Sequence, residues 1–527
     1  MKRIFSTILL AILLTSMLCS AFKIVPVEAV GTIYIRADGS IDPQTAPIST
    51  VDNITYTLAG DIYDRVVVQR SDIIIDGDGH TLQGIGNGTA LLIQSVNNVT
   101  VQNTNIKNYW EGFWLYHSSN STIIGNNITI IGDSLADGIG IWLTDSSDNN
   151  IRGNRIAGYE AGIHETGIYV EYFSSNNTIS RNEITSINWF GILVSSSSNG
   201  NSIIGNNVTS NTYGIWIGGS SNSSISENRV SAGLTGIALL SCSNGSVNGN
   251  SLSNMELGIL LEFSSYDNVV WRNNVTATTG WGIYLNSDAG NNTVRENYVA
   301  ANAIGIGLSS SSGNSVYHNN FVGNTQQVES INATNFWDNG YPSGGNYWST
   351  YAGGDLFNGA FQNVIGSDGI GDTSYIIDAN YTDHYPLVGM FYSFDVSSVD
   401  SGYIVDLVSN STISGFDVGV WIEHPEDPNA RIITFNVTGE SGTTGFCRIT
   451  IPTALMNGTC RVFVNGTEVT SNLLPCSNST HRYLYFNYTH STEEVIIIPE
   501  FSAFLIPLLF IIAIPLAMII HRKKYKR

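Results

Sequence analysis

Gly112-Phe113-Trp114-Leu115-Tyr116-His117-Ser118-Ser119-Asn120-Ser121-Thr122-Ile123-Ile124-Gly125-Asn126-Asn127-Ile128 is one copy of a phrase that the chain repeats about ten times. The phrase is Gly-Ile-x-Leu, then a Ser/Asn-rich turn, then Ile-x-x-Asn-x-Ile. Its asparagine recurs at Asn126, Asn154, Asn182, Asn206, Asn228, Asn250, Asn273, Asn297 and Asn319, in steps of 28, 28, 24, 22, 22, 23, 24 and 22 residues. A period of this size is the mark of a solenoid. Each repeat holds short alternating stretches and no helical period, so the coil is built of strands. The fold class expected is all-β: a right-handed parallel β-helix, because parallel crossovers are overwhelmingly right-handed.

The physics of one coil follows from the alternation of side chains along a strand. In Gly-Ile-x-Leu the Ile and Leu point inward and x points out. Coils stack at about 4.8 Å, so equivalent residues form columns. Ile stacks on Ile in the core. The repeating Asn is expected to form a hydrogen-bonded ladder at a turn, as Asn does in cross-β stacks.

Outside the repeats the sequence divides further. Residues 1–29 read as a signal peptide: Lys2 and Arg3, an apolar run from Ile8 to Leu18, and Val27-Glu28-Ala29 as a cleavage site. Residues 30–72 are placed to be an N-terminal cap, and coils are expected over 73–321. Residues 322–390 break the period with an aromatic, Gly-rich run from Asn335-Phe336-Trp337 to Asn346-Tyr347-Trp348, and are expected to cap the other end. Residues 391–498 have longer alternating strands and an Asn465-Gly466 hairpin signal, which suggests a small antiparallel β-sandwich acting as a stalk. Residues 499–520 are mostly apolar from Phe501 to Ile520, about 30 Å as a helix and enough to span a bilayer. The basic tail 521–527 places that end in the cytoplasm and the rest of the chain outside, at the extracellular face of the membrane.

Charge excludes one class of partner. The chain carries a formal charge of −21, and residues 30–520 alone carry −28, with Lys107 their only lysine. Nucleic-acid binding needs a basic face and is excluded. Acidic polysaccharides are disfavoured for the same reason unless cations bridge. About 19 Asn-x-Ser/Thr sequons, among them Asn53, Asn87, Asn207, Asn410 and Asn487, are candidate glycosylation sites in an exported chain and are also what β-helix turns are made of. Cys447, Cys460 and Cys476 lie close together in sequence, so one disulfide among them is expected outside the cell.

The repeats resemble the NosD-like β-helix family, whose domain is also described as a carbohydrate-binding and sugar-hydrolase fold. The segment Asp76-Gly77-Asp78-Gly79-His80-Thr81-Leu82 and the block from Trp337 through Tyr347-Trp348 to Gly369-Ile370-Gly371-Asp372 look like its archaeal surface members. The resemblance covers roughly residues 31–390. Pro499-Glu500-Phe501, followed by the span and basic residues, is similar to archaeosortase sorting signals, so the anchor is either a plain transmembrane helix or a processed, lipid-linked end. The family's name implies copper delivery to nitrous oxide reductase. Copper sites need clustered His, Met or Cys, and the sequence shows no such cluster.

The outward x of Gly-Ile-x-Leu reads Trp114, Trp142, Tyr169, Leu193, Trp216, Ala238, Leu260, Tyr284 and Gly307. Trp114, Trp142, Tyr169 and Trp216 are the candidate carbohydrate-binding residues, since an aromatic stripe can stack on successive sugar rings; the same rings can instead stack on one another. The next outward position carries Tyr116, Thr144, Glu171 and Glu262. Long turns bring Asp133, Asp137, Glu160, His164 and Glu165 near the stripe, and Asp145 closes a neighbouring strand. Glu165, Glu171 and Asp145 are therefore the candidate catalytic residues of a polysaccharide hydrolase, which needs two carboxylates in different environments; they also fit simple surface acids. A lyase would draw on Arg152, Arg155 or Arg181. Asp368 and Asp372, with Asp355 or Asp383, are candidate ligands for structural Ca²⁺. The function expected is binding of a polysaccharide or cell-envelope glycan, or service as an envelope or adhesion scaffold. A hydrolase or lyase is the enzyme alternative, and a NosD-like copper metallochaperone comes third.

Overall fold

A computed structural model describes residues 31–132, 137–159, 164–210, 212–396, 402–420 and 430–500. The expected signal peptide, the apolar segment 501–520 and its basic tail, and Asp133 and Glu160 lie outside these residues. Every element described is a strand, and no described helix is long and apolar enough to cross a membrane.

The repeats stack into three parallel sheets of 14, 13 and 12 strands. One coil contributes Glu111–Tyr116 to the first sheet, Thr122–Ile124 to the second and Asn127–Ile130 to the third. Each strand pairs with its equivalent one coil on, so Trp114 stands opposite Trp142, Ile123 opposite Ile151 and Ile128 opposite Ile156. The parallel ladder already begins within residues 30–72: Thr32–Ile35 pairs with Arg65–Val68, and Thr55–Leu58 with Ile73–Asp76. Short antiparallel pairs, Tyr34 with Asp42 and Ile48 with Leu58, blunt the edges at that end.

The core is a set of columns. Val101, Ile123, Ile151, Ile179, Ile203 and Ile225 line the second sheet, and Ile106, Ile128, Ile156, Ile184 and Val208 line the third, all fully buried. Each such side chain contributes roughly 1.5–3 kcal/mol by leaving water. The asparagine ladder runs from Asn126 to Asn346: each Nδ2 donates to the Oδ1 of the next Asn, at 3.0 Å for Asn126 to Asn154 and 2.9 Å for Asn319 to Asn346. The same Oδ1 also takes the backbone N–H of the Asn below, as Asn154 does from Asn126 at 3.1 Å. A second ladder, through Asn268, Asn292, Asn314 and Asn335, holds another corner.

At the C-terminal end Trp348 stacks on Phe321 (4.6 Å between centroids) and on Tyr375 (4.6 Å) and closes the core. Residues 390–499 form two five-stranded antiparallel sheets that share one apolar core, with Val405, Ile449 and Phe486 on one side and Ile433, Phe435, Val462 and Ile497 on the other. This unit does not stand off as a stalk. It packs back on the last coils: Arg272 bonds Asp395 and Ser393, Asn320 exchanges two hydrogen bonds with Phe391, and Arg448 donates to the carbonyl of Pro342. The expected disulfide is not formed. Cys447 faces the sandwich core, Cys460 donates to the Met456 thioether at 3.4 Å, and Cys476 belongs to a different apolar cluster beside Tyr341.

Candidate aromatic binding face

The outer face of the first sheet carries the column that the sequence foretells, in unbroken register: Trp114, Trp142, Tyr169, Leu193, Trp216, Ala238, Leu260, Tyr284 and Gly307. The orientation of the rings is decided by the 4.8 Å spacing, which puts neighbouring aromatics in stacking contact. Trp114 and Trp142 lie 4.6 Å apart at 10°, and Trp142 and Tyr169 lie 6.2 Å apart at 2°. Their faces are turned on one another, and their edges face outward. The polar neighbours are drawn into the stack. Trp114 Nε1 donates to Thr144 Oγ1 at 3.1 Å, and Trp142 Nε1 donates to Glu171 Oε1 at 2.9 Å. Burial pushes the Tyr169 hydroxyl up to about 12, and the neighbouring Glu171 adds to that shift.

Trp216 joins a second group rather than the first, because Leu193 interrupts the column. It meets Phe190 and Tyr213 edge-on, at 5.7 and 4.6 Å, and Phe190 in turn stacks between Trp189 and Tyr213. The sequence reading missed Trp189, Phe190 and Tyr213. The signal was the residue before Gly-Ile in each coil, which is Phe190 and Tyr213 in register. It also missed Tyr172 and Phe173, which follow Glu171 in left-handed backbone, φ 50° and 61°, and stand more than half exposed. Their exposure follows from that turn, which throws both side chains off the sheet. The face thus has an edge-on aromatic floor and rings on both rims: Trp189 where strands enter the sheet, Tyr172 and Phe173 where they leave it.

The three candidate catalytic carboxylates do not converge. Glu165 and Glu171 sit at opposite ends of the strand Glu165–Glu171, about 20 Å apart at about 3.3 Å per residue, beyond the roughly 5–9.5 Å used by paired glycosidase carboxylates. Glu165 is fully buried and accepts the backbone N–H of Tyr159 at 2.9 Å. Burial raises its carboxyl above the usual range, opposed by backbone donors. It organises the turn before the strand and does not face the stripe. Glu171 is held by Trp142, and Asp145 pairs with His117 Nδ1 at 2.7 Å. Asp137 and His164, both exposed, approach to 3.8 Å. Arg152, Arg155 and Arg181 lie on the second and third sheets and the corner between them, away from this face.

The candidate calcium ligands Asp355, Asp368, Asp372 and Asp383 all lie in the segment before the sandwich. Among the described residues no group of three or more His, Cys, Asp and Glu is placed to hold a metal. The aspartates are spent on the chain's own donors: Asp372 accepts Leu356 and Phe357 N–H, Asp355 accepts Asp368 and Gly369 N–H, Asp368 accepts Ile370 N–H and the Gln362 amide, and Asp383 accepts Asn346 N–H and Trp348 Nε1.

Residues 165–353 match the family described as periplasmic copper-binding protein (NosD), and residues 62–208 match the one described as right handed beta helix region. The coils are right-handed β-helix repeats, and those within residues 165–353 are similar to the NosD family. No curated protein matches the chain. Among solved structures, the chain is similar in fold to the periplasmic alginate epimerase AlgG (15% identity, TM-score 0.37, covering 58% of this chain and 84% of that one). It is also similar to the A-module of the Azotobacter vinelandii mannuronan C-5 epimerase AlgE6 (13%, 0.40, 58% and 91%) and to the Dettilon tailspike protein (13%, 0.36, 82% and 87%). Met255 is buried in the coil core, and His318 is buried, stacked on Phe391 at 4.0 Å and bonded to the Ser343 carbonyl. Burial lowers the His318 imidazole to about 4.

Proposed function

We propose that the outer face of the first sheet, over the coils from Glu111 to Gly218, binds a neutral polysaccharide laid along the solenoid axis, in a protein exported and held at the cell surface by its C-terminal apolar segment. The observation that carries this is an aromatic floor of two stacked groups across five coils, with exposed rings on both rims. The floor offers apolar edges beside Thr144 and Tyr116, while Tyr172, Phe173 and Trp189 offer surface for stacking on sugars. Sugar units repeat at a few ångströms, comparable to the coil spacing. The acidic charge of the chain favours neutral over acidic glycans. Binding without cleavage fits the carboxylates better than hydrolysis does, since each is committed to a structural partner.

The test is a panel of neutral and acidic polysaccharides, read both by affinity electrophoresis and by the size of the products. Retardation by neutral glycans with no shortening is expected. Tyr172→Ser with Phe173→Ser should weaken retardation about tenfold or more, the scale of one or two lost ring contacts, without moving the melting temperature. Unchanged retardation in that double variant sinks the rim assignment. Shortened chains would instead establish an enzyme.

A further inference from the structure

One corner of the solenoid repeats a feature that the proposed binding face does not use. Where the chain enters the second sheet, each coil passes through one residue in left-handed backbone. Down the column these are Asn98, Asn120, Asp148, Asn176, Gly200, Asn222, Asn244, Asp267, Asn291 and Gly313, with φ between 54° and 78°. This conformation explains Asn, Asp or Gly at the corner. It does not explain what comes two residues later. All six Asn are followed there by Ser or Thr (Thr100, Thr122, Thr178, Ser224, Ser246, Thr293), as Gly200 and Gly313 are by Ser202 and Ser315, whereas Asp148 and Asp267 are followed by Asn150 and Val269. Every Asn of the column is therefore an N-glycosylation sequon, and all six are exposed.

The six differ in what their amides do. Asn98 Nδ2 donates to Asp72 at 2.8 Å, and Asn244 Nδ2 reaches Ser243 Oγ at 3.4 Å. Among the described residues no side-chain hydrogen bond engages Asn120, Asn176, Asn222 or Asn291. Their buried neighbours behave in the opposite way: Asn177 and Asn292, one residue on, are fully consumed in ladders. The four free amides lie two, two and three coils apart in the register of the second sheet, or about 10, 10 and 14 Å at about 4.8 Å per coil. That spacing admits one glycan at each, and the two tied amides are each a single coil, about 5 Å, from a free one.

We infer that this corner is a glycan-bearing ridge, with N-linked sugar at Asn120, Asn176, Asn222 and Asn291. The inference rests on the proposed export of the chain. In the modification the amide Nδ2 bonds to the anomeric carbon of a glycosyl phosphate donor. The bond from that carbon to the phosphate oxygen breaks, and the phosphate leaves with the amide's proton taken up by base. The donor and its transferase are supplied at the membrane.

The experiment uses the full chain recovered from its own cells, with protease accessibility on intact cells measured alongside glycopeptide mass mapping. Surface accessibility with added sugar mass at the four asparagines, and less or none at Asn98 and Asn244, is the expected result. Thr122→Val, Thr178→Val, Ser224→Ala and Thr293→Val each remove a sequon hydroxyl while leaving the corner Asn in place, and each should abolish the added mass at its own site only. An accessible chain with four unmodified asparagines overturns the ridge and leaves the binding proposal standing. A chain inaccessible from outside overturns both.

Discussion

A single ladder asparagine serves four bonds. Asn228 takes the backbone N–H and the side-chain amide of Asn206 on its Oδ1, and donates to the Ile203 carbonyl and to Asn250. Replacing it with Ala leaves the Asn206 N–H buried and unpaired, at about 1–3 kcal/mol for each orphaned group. Asn228→Ala is therefore expected to cost about 2–4 kcal/mol, read as a lower urea midpoint and faster hydrogen exchange at Asn206 and Asn228. Unchanged exchange there would mean that water replaces the side chain. The repeat's glycine is as constrained, for a steric reason: a Cβ on Gly140 would lie 2.5 Å from both the Gly167 carbonyl oxygen and Ile156 Cγ2. Both residues were legible in the sequence because they recur with the coil period. The second asparagine ladder was less so, because Ser121, Ser223 and Gly245 stand in its column and dilute the repeat.

At the level of the strand, column membership was legible and ring orientation was not. Counting along Gly-Ile-x-Leu places Trp114, Trp142 and Tyr169 in line, but only the 4.8 Å stacking shows that they spend their faces on one another. The candidate carboxylates failed for a related reason: sequence proximity put Glu165 beside the stripe, while the turn before the strand swallows its side chain. Glu165→Ala is expected to lose about 1–3 kcal/mol by freeing the Tyr159 amide. Glu165→Gln keeps an acceptor and is expected to stay within about 1 kcal/mol of the parent, and both should retain glycan affinity. Thermal melts and affinity electrophoresis check this. Loss of glycan affinity in a folded Glu165→Gln protein would return this residue to the binding site.

At the scale of the whole molecule, alternation in the sequence was enough to foresee two antiparallel sheets. Their docking was invisible, since it joins residues 123 positions apart, Arg272 and Asp395. The segment between solenoid and sandwich holds two acids that burial raises far above the usual carboxylate range. Burial pushes Asp355 and Asp383 up to about 7. In the unfolded chain such groups ionise near 3.9. Between those values the folded state holds protons that the unfolded state has lost, so their contribution to stability is complete below about pH 4 and vanishes as pH rises through 7. His318, lowered to about 4, acts in the opposite sense. Its contribution is lost as pH falls below about 6.5 and is nearly constant above it. The window from about pH 6.5 to 8 therefore isolates the two carboxyls and predicts a loss of about 1–2 kcal/mol. Melting temperature should fall across this window, and Asp383→Asn, which cannot ionise, should lower the starting stability but fall about half as far. A melting temperature that is flat or rising from pH 6.5 to 8 in the parent protein would mean that these carboxyls are already ionised in the fold, held by the N–H donors of Asn346, Trp348 and Gly369.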